Sequence, residues 1–152
     1  MPQTAQRSEP EARRRWMGVL AHAGADAIED RLAGHALPGY RRLRGPETGL
    51  VMLRGRAGGD GAAFNLGEMT ITRCTLRTED GLVGHAYVAG RDARQAELAA
   101  LLDALLQDPA RHDALHEAVI APLAAAQAAR AAEHARRAAA TRVDFLAMAT
   151  MR

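Results

Sequence analysis

Residues 68–107 read EMTITRCTLRTEDGLVGHAYVAGRDARQAELAALLDALLQ, and a change of hydrophobic period inside this stretch decides the fold class. From Glu68 to Thr78 the pattern alternates in two short phases, with Met69 and Ile71 on one face, then Cys74 and Leu76 on the other. Such a switch marks a bulge or a strand covered on both sides. Thr78-Glu79-Asp80-Gly81 is a hairpin turn, and Val83, Tyr87 and Val88 make Leu82 to Gly90 the next strand. Beyond Gly90 the period lengthens. Ala96, Leu98, Leu101, Leu102, Leu105 and Leu106 predict the chain's strongest amphipathic helix over Arg91–Gln107, with Asp92 as a candidate cap.

Toward the N-terminus, Leu50, Val51, Met52 and Leu53 give Thr48–Arg56 the compact apolar run of a central strand, and Tyr40–Arg44 reads as a short edge strand. Between Thr48–Arg56 and Glu68–Thr78 lies the most loop-like segment, Ala57–Gly67, holding Gly58, Gly59, Gly61 and Gly67. Trp16, Met17 and Leu20 predict a helix over Glu11–Ala23, and Ile28, Leu32 and Ala36 a second over Asp26–Ala36, ended by Pro38-Gly39. Residues 1–10 are polar with two prolines and are expected to be a disordered tail.

Toward the C-terminus, Asp108-Pro109 opens a helix carrying Leu115, Val119 and Ile120. An Ala-rich helix follows Pro122, from Leu123 to about Ala140. Alanine favours helix but offers little area to bury, so this helix is expected to protrude and to pack on another chain. The order of elements predicts an α+β domain over residues 11–148: a mostly antiparallel four-stranded sheet flanked by N-terminal and C-terminal helices.

Composition narrows the chemistry. The chain has 152 residues, 48% hydrophobic but only 3% aromatic, so aliphatic side chains must fill the core and a partner surface would help complete it. Every basic side chain is Arg. Without Lys there is no Schiff-base or Walker-type lysine. The single serine, Ser8, lies in the polar lead-in, and the single cysteine, Cys74, excludes an internal disulfide or a Cys-based zinc cluster. No apolar run reaches the ~18 residues of a membrane span, and no secretory h-region follows Arg13–Arg15. A cytoplasmic protein is expected. A net charge of +2 argues against nucleic-acid binding, including by Arg130, Arg136 and Arg137.

The residues expected near substrate phosphate or a subunit interface are Arg54, Arg56, Gly58, Gly59, Asn65, Glu68, Arg73, His85 and Arg91. The glycine loop could turn backbone N–H groups toward an oxyanion while flanking arginines clamp it, but no helix follows the loop to add its dipole. Against this stands a plain connection between strands with solvated arginines. His112 and His116 have the spacing of a helical metal pair, yet no third ligand is specified and a solvated face explains them better. Cys74 reads as a small buried hydrophobe. A self-sufficient enzyme acting on phosphate esters or nucleotides would draw on His85, Glu68 and Arg73, and these three residue types leave that alternative open.

Several strings occur together in order: Arg15-Trp16-Met17; Pro46-Glu47-Thr48-Gly49-Leu50-Val51; Arg56-Ala57-Gly58-Gly59-Asp60-Gly61; Phe64-Asn65-Leu66-Gly67-Glu68-Met69-Thr70; Gly84-His85-Ala86-Tyr87-Val88 with Gly90-Arg91-Asp92; Ala121-Pro122-Leu123; and Arg142-Val143-Asp144-Phe145. From Trp16 to Phe145 the chain resembles the PhnG family of the bacterial carbon–phosphorus lyase core complex. The resemblance implies a non-catalytic structural subunit assembled with PhnI, PhnJ and PhnH, and with a second copy of itself. The complex would join an alkylphosphonate to the ribose of ATP, displacing adenine. It also implies that this subunit holds no cofactor or metal, the iron–sulfur cluster and S-adenosylmethionine belonging to PhnJ. The glycine loop would then lie at a subunit boundary.

Overall fold

The computed structural model describes residues 5–57 and 61–142. Helices α1 (Ala5–Ala21) and α2 (Ala25–Leu32) lead into strands β1 (Tyr40–Gly55), β2 (Phe64–Thr78) and β3 (Val83–Ala89). Helix α3 (Ala93–Leu105) follows. Then α4 (Pro109–Leu115), a π-helical turn (His116–Ile120) and α5 (Ala121–Ala140) run end to end. The α+β class and the antiparallel sheet agree with the sequence reading, but the sheet has three strands, in the order β1-β2-β3.

The expected edge strand and central strand are one continuous β1. Both halves pair with β2, through Tyr40↔Thr78 at one end and Gly55↔Phe64 at the other. The join that reads as a break in sequence is a bulge, with register shifts between Arg42 and Glu47. Gly45 sits there at φ 59, and a Cβ would stand 2.5 Å from the Glu47 nitrogen and 2.9 Å from the Arg73 oxygen. Only glycine fits that corner. A second correction lies in the glycine segment, where β2 begins at Phe64 rather than after Gly67. The N-terminal helix likewise starts before Glu11, at Ala5, and runs through Pro10. Residues 1–4 of the expected tail and the residues after Arg142 lie outside those described.

Helix α3 is the middle layer. It lies on the inner face of β2 and β3, and α1 and α2 cover its other side. Every residue from Gln95 to Leu106 is buried, so the expected amphipathic helix is enclosed all round. Its alanines make this possible, because Ala100 and Ala104 let β3 approach at Gly84. A Cβ on Gly84 would lie 1.9 Å from the Ala100 carbonyl oxygen. The Asp92 carboxylate caps α3 by accepting from the Gln95 N–H at 2.8 Å.

Three polar side chains on α3 are buried, and each is fully engaged. Asp103 accepts from the Arg13 guanidinium at 3.0 and 2.7 Å, from the Trp16 indole at 3.0 Å and from the His85 backbone N–H at 2.9 Å. Glu97 accepts from the Tyr40 hydroxyl at 2.7 Å and from both forks of Arg42 at 2.9 Å. The Gln95 amide donates to the Leu20 and Ala21 carbonyls, closing the C-terminal end of α1. These contacts tie α1, β1 and β3 to one helix.

Capped by Asp108, α4 passes into the π-helical turn, where the Ala121 N–H bonds to the His116 carbonyl. The wider turn lets the helical path continue through Pro122 into α5. Leu123 is the buried residue of α5, and Gln127 donates to the Val19 carbonyl at 2.8 Å. From Ala128 to Ala140 only Glu133 is less than fully exposed; it pairs with Arg136 and Arg137.

Candidate functional site

Alternation along the strands sorts their side chains onto two faces. Thr72, Cys74, Leu76 and Thr78 of β2 and Gly84, Ala86 and Val88 of β3 point inward and are buried. Opposite them, Met69, Ile71, Arg73, Thr75 and Arg77 share the outer face with Glu47, Gly49 and Val51 of β1 and with His85, Tyr87 and Ala89 of β3. On this face Arg77, His85, Tyr87 and Ala89 are exposed, while Ile71 is buried.

Pairing with β3 ends at Ile71↔Ala89, whereas β1 and β2 stay paired as far as Gly55↔Phe64. The two strands therefore run on as a ribbon of seven further residues in β2, on the order of 20 Å long at about 3.3 Å per residue. The ribbon carries Leu50, Met52, Leu53, Phe64 and Leu66, all exposed, with Leu50 at 63% and Leu66 at 58% of full exposure. This is the largest gathering of apolar surface among the described residues. The pleat puts Leu50 and Met52 on the face opposite Leu53, so both faces of the ribbon carry exposed apolar side chains. A two-stranded ribbon lacks a sheet neighbour or helix to shelter them, and exposed apolar surface gathered in this way marks an interaction site. Sequence does not reveal it, because the run Leu50–Leu53 has the composition of a central strand whether or not anything covers it. The available signal was that Leu66 and Phe64 lie at the same end of the hairpin, beyond the reach of the Leu-rich helix.

The predicted site residues fall into separate places. Arg54 pairs in register with Asn65 and donates to the Ala63 carbonyl at 3.4 Å, at the ribbon's far end beside exposed Arg56. Gly58 and Gly59 lie outside the described residues. Glu68 stands opposite Met52 on the ribbon. Arg73 donates to Glu47 at 2.8 Å, and this raises the arginine's pKa further above its ordinary value. The His85 ring meets the Thr75 hydroxyl at 3.1 Å. Arg91 is exposed at the entry to α3.

His85 and Arg73 share the outer face on neighbouring strands, but Glu68 is five residues from Arg73 along β2 and points to the opposite face. Five residues span roughly 17 Å. The alternative enzyme's acid, base and clamp therefore do not converge. Cys74 is buried, and desolvation first, then the Glu97 charge, pushes its thiol up to about 11, so it is protonated at neutral pH. His112 uses Nδ1 on the Leu106 carbonyl at 2.7 Å and packs between Trp16 and His116. Among the described residues no group of three metal-binding side chains gathers, and no helix is long and apolar enough to cross a membrane.

A shallow cleft of about 230 Å³ runs along the β3 edge between Met17, Gly18 and Ala21 of α1 and Tyr87 of β3. Its lining is mostly apolar, with His85 and Tyr87 as its two ionisable side chains. It does not reach the ribbon's polar tip.

Comparison with known proteins agrees with the geometry. The family model described as phosphonate metabolism protein PhnG matches residues 11–151. The alpha-D-ribose 1-methylphosphonate 5-triphosphate synthase subunit PhnG of Rhizobium meliloti (strain 1021) is 46% identical over 146 residues, covering 90% of this chain and 87% of that protein. A match of this extent takes in the helical layer, the ribbon and the outer sheet face together, and the chain belongs to the PhnG family.

Proposed function

We propose that this chain is the architectural subunit of a cytoplasmic synthase that forms α-D-ribose 1-alkylphosphonate 5-triphosphate from ATP and an alkylphosphonate, and that the apolar ribbon is the part it gives to the assembly. The similar protein from Rhizobium meliloti is named as a synthase subunit. The observation that carries the structural role is the exposure of Leu50, Met52, Leu53, Phe64 and Leu66 on one ribbon. Burying on the order of 400 Å² of such surface contributes about 10 kcal/mol gross, before the several kcal/mol lost on association. The ribbon thus suits a permanent contact better than a passing one.

The partners this reading supplies are the PhnI, PhnJ and PhnH subunits and a second copy of the chain. Adenine displacement would be carried by PhnI, and the iron–sulfur cluster and S-adenosylmethionine would stay with PhnJ. Arg54, Arg56 and Asn65 sit at the end of the ribbon with the glycine loop, so a seated ribbon would bring that loop to a subunit boundary.

The test is co-expression with the PhnI, PhnJ and PhnH subunits, followed by size-exclusion chromatography with light scattering and a synthase assay on ATP and methylphosphonate. Wild type is expected to co-elute and to support product formation. Leu50→Asp with Leu66→Asp is expected to leave a folded lone chain that neither co-elutes nor supports the reaction. Wild type that turns over ATP alone, or ribbon variants that assemble normally, would overturn the reading.

A further inference from the structure

At the end of the sheet away from the ribbon, Arg41 of β1 and Arg77 of β2 are direct cross-strand partners on the outer face. Like charges placed so destabilise a sheet. Several other arginines are neutralised, while the exposed Arg14, Arg15, Arg54, Arg56, Arg91 and Arg130 take part in no ion pair among the described residues but face no other arginine across the sheet. Arg13 is paired with Asp103, Arg42 with Glu97, Arg44 and Arg73 with Glu47, Arg94 with Glu29 and Arg111 with Asp80. Arg41 and Arg77 are exposed and take part in no ion pair among the described residues. Two acids are nearby. Glu79, two residues from Arg77, folds against Gly39, and Asp80 is held by Arg111.

We infer that the outer face around Arg41 and Arg77 is a docking site for a carboxylate-bearing surface of a partner subunit. The inference rests on the reading of this chain as a subunit. Charge complementarity identifies the partner: two adjacent guanidinium groups offer bidentate donors that a carboxylate accepts in plane. Exposure separates a protein from a small anion. Arg41 and Arg77 are exposed on the sheet surface, so a free phosphate there would remain mostly in water. A protein surface can cover the arginines and continue along the face over Ile71, Met69, Val51 and Tyr87 toward the ribbon, making one continuous interface. An acid contributed from outside also removes the repulsion that the isolated chain carries.

The experiment uses the co-expressed complex and compares wild type, Arg41→Ala with Arg77→Ala, and Arg41→Glu with Arg77→Glu, with Arg14→Glu on α1 as a control for net charge. Retention of the subunit is measured across a salt titration, and the melting temperature is measured on each isolated chain. The alanine pair is expected to melt at or above the wild-type temperature, yet to bind the complex about tenfold more weakly at low salt, the gap closing toward about 0.5 M salt. The glutamate pair is expected to be lost more completely, and Arg14→Glu to bind as wild type does. Variants that join the complex with wild-type affinity and salt dependence overturn the docking site while leaving the subunit reading intact. Inorganic tripolyphosphate binding to the isolated chain through Arg41 and Arg77, with assembly unaffected, overturns it in favour of a small-anion site. A wild-type chain that joins no complex overturns both.

Discussion

Asp103 sits where α1, α3 and β3 meet, fully buried, with both carboxylate oxygens occupied. The bond to Asp103 raises the Arg13 guanidinium above its ordinary pKa, the direction expected of a paired base. Replacing Asp103 by Ala strips partners from a guanidinium, an indole N–H and a strand N–H at once. The expected loss is about 3–5 kcal/mol in denaturant unfolding. Arg13→Ala, from the partly exposed side, is expected to cost less. Cys74 gives a second prediction at this scale. Its thiol is raised from 9.0 to about 11 by burial, so folding favours the protonated form. That contribution is complete below pH 9 and is lost as pH climbs from about 9 to 11, a fall of roughly 2–3 kcal/mol that Cys74→Ala should abolish. The same burial predicts that native protein resists thiol reagents at pH 7 and reacts on unfolding. Sequence alone identified Cys74 as a buried hydrophobe, since it alternates with Leu76. It could not identify Asp103, because an acid inside a Leu-Ala helix looks like a break in the apolar face until its three donors are placed around it.

Among the elements, the contact between β3 and α3 has the least tolerance. Gly84→Ala would drive a methyl group into the Ala100 carbonyl and the Ala104 nitrogen. Its expected cost is at least about 3 kcal/mol, near the limit for overpacking, and circular dichroism melts of the purified variant would read it. The ribbon behaves oppositely. Leu50→Ser and Leu66→Ser remove exposed side chains and are expected to change the stability of the lone chain by less than about 0.5 kcal/mol, a result the same melts would check. Local patterns made most elements legible: the hairpin turn at Thr78–Gly81, the cap at Asp92 and the start at Asp108-Pro109 all depend on neighbours in sequence. What failed depends on neighbours in space. The apolar run in β1 specifies a strand but not whether anything lies over it. Nor can the Leu-Ala pattern of α3 tell a half-covered helix from one enclosed between a sheet and two helices. The Gly45-Pro46 bulge was read as a break because the sequence marks a turn and a bulge with the same residues.

For the molecule as a whole, the body and the extensions divide the work. The core draws on Trp16, Leu20, Ile28 and the leucines of α3, whereas the ribbon and the outer half of α5 add almost nothing to it. Ending the chain after Ala128 is therefore expected to preserve a cooperative melt within a few degrees of the full-length chain, because the deleted helix buries little. If α5 serves assembly, the shortened chain will co-elute less completely with the other subunits than full-length protein does. The candidate site was only partly legible for a related reason. Arg54 and Asn65 lie in register next to the glycine segment because they are close along the hairpin, whereas residue type alone groups Glu68 with Arg73 and His85, and the pleat of β2 sends Glu68 to the face opposite the other two. The exposed ribbon also has a bearing on the life of a newly made copy. Until its partners arrive, that copy displays two free strand edges and a row of leucines, features that chaperones and proteases recognise and that promote self-sticking. The side chains that would hold a finished machine together thus also label an orphan for disposal. Surplus copies would be cleared without a dedicated degradation signal, and the stoichiometry of the assembly would be kept by turnover as well as by synthesis.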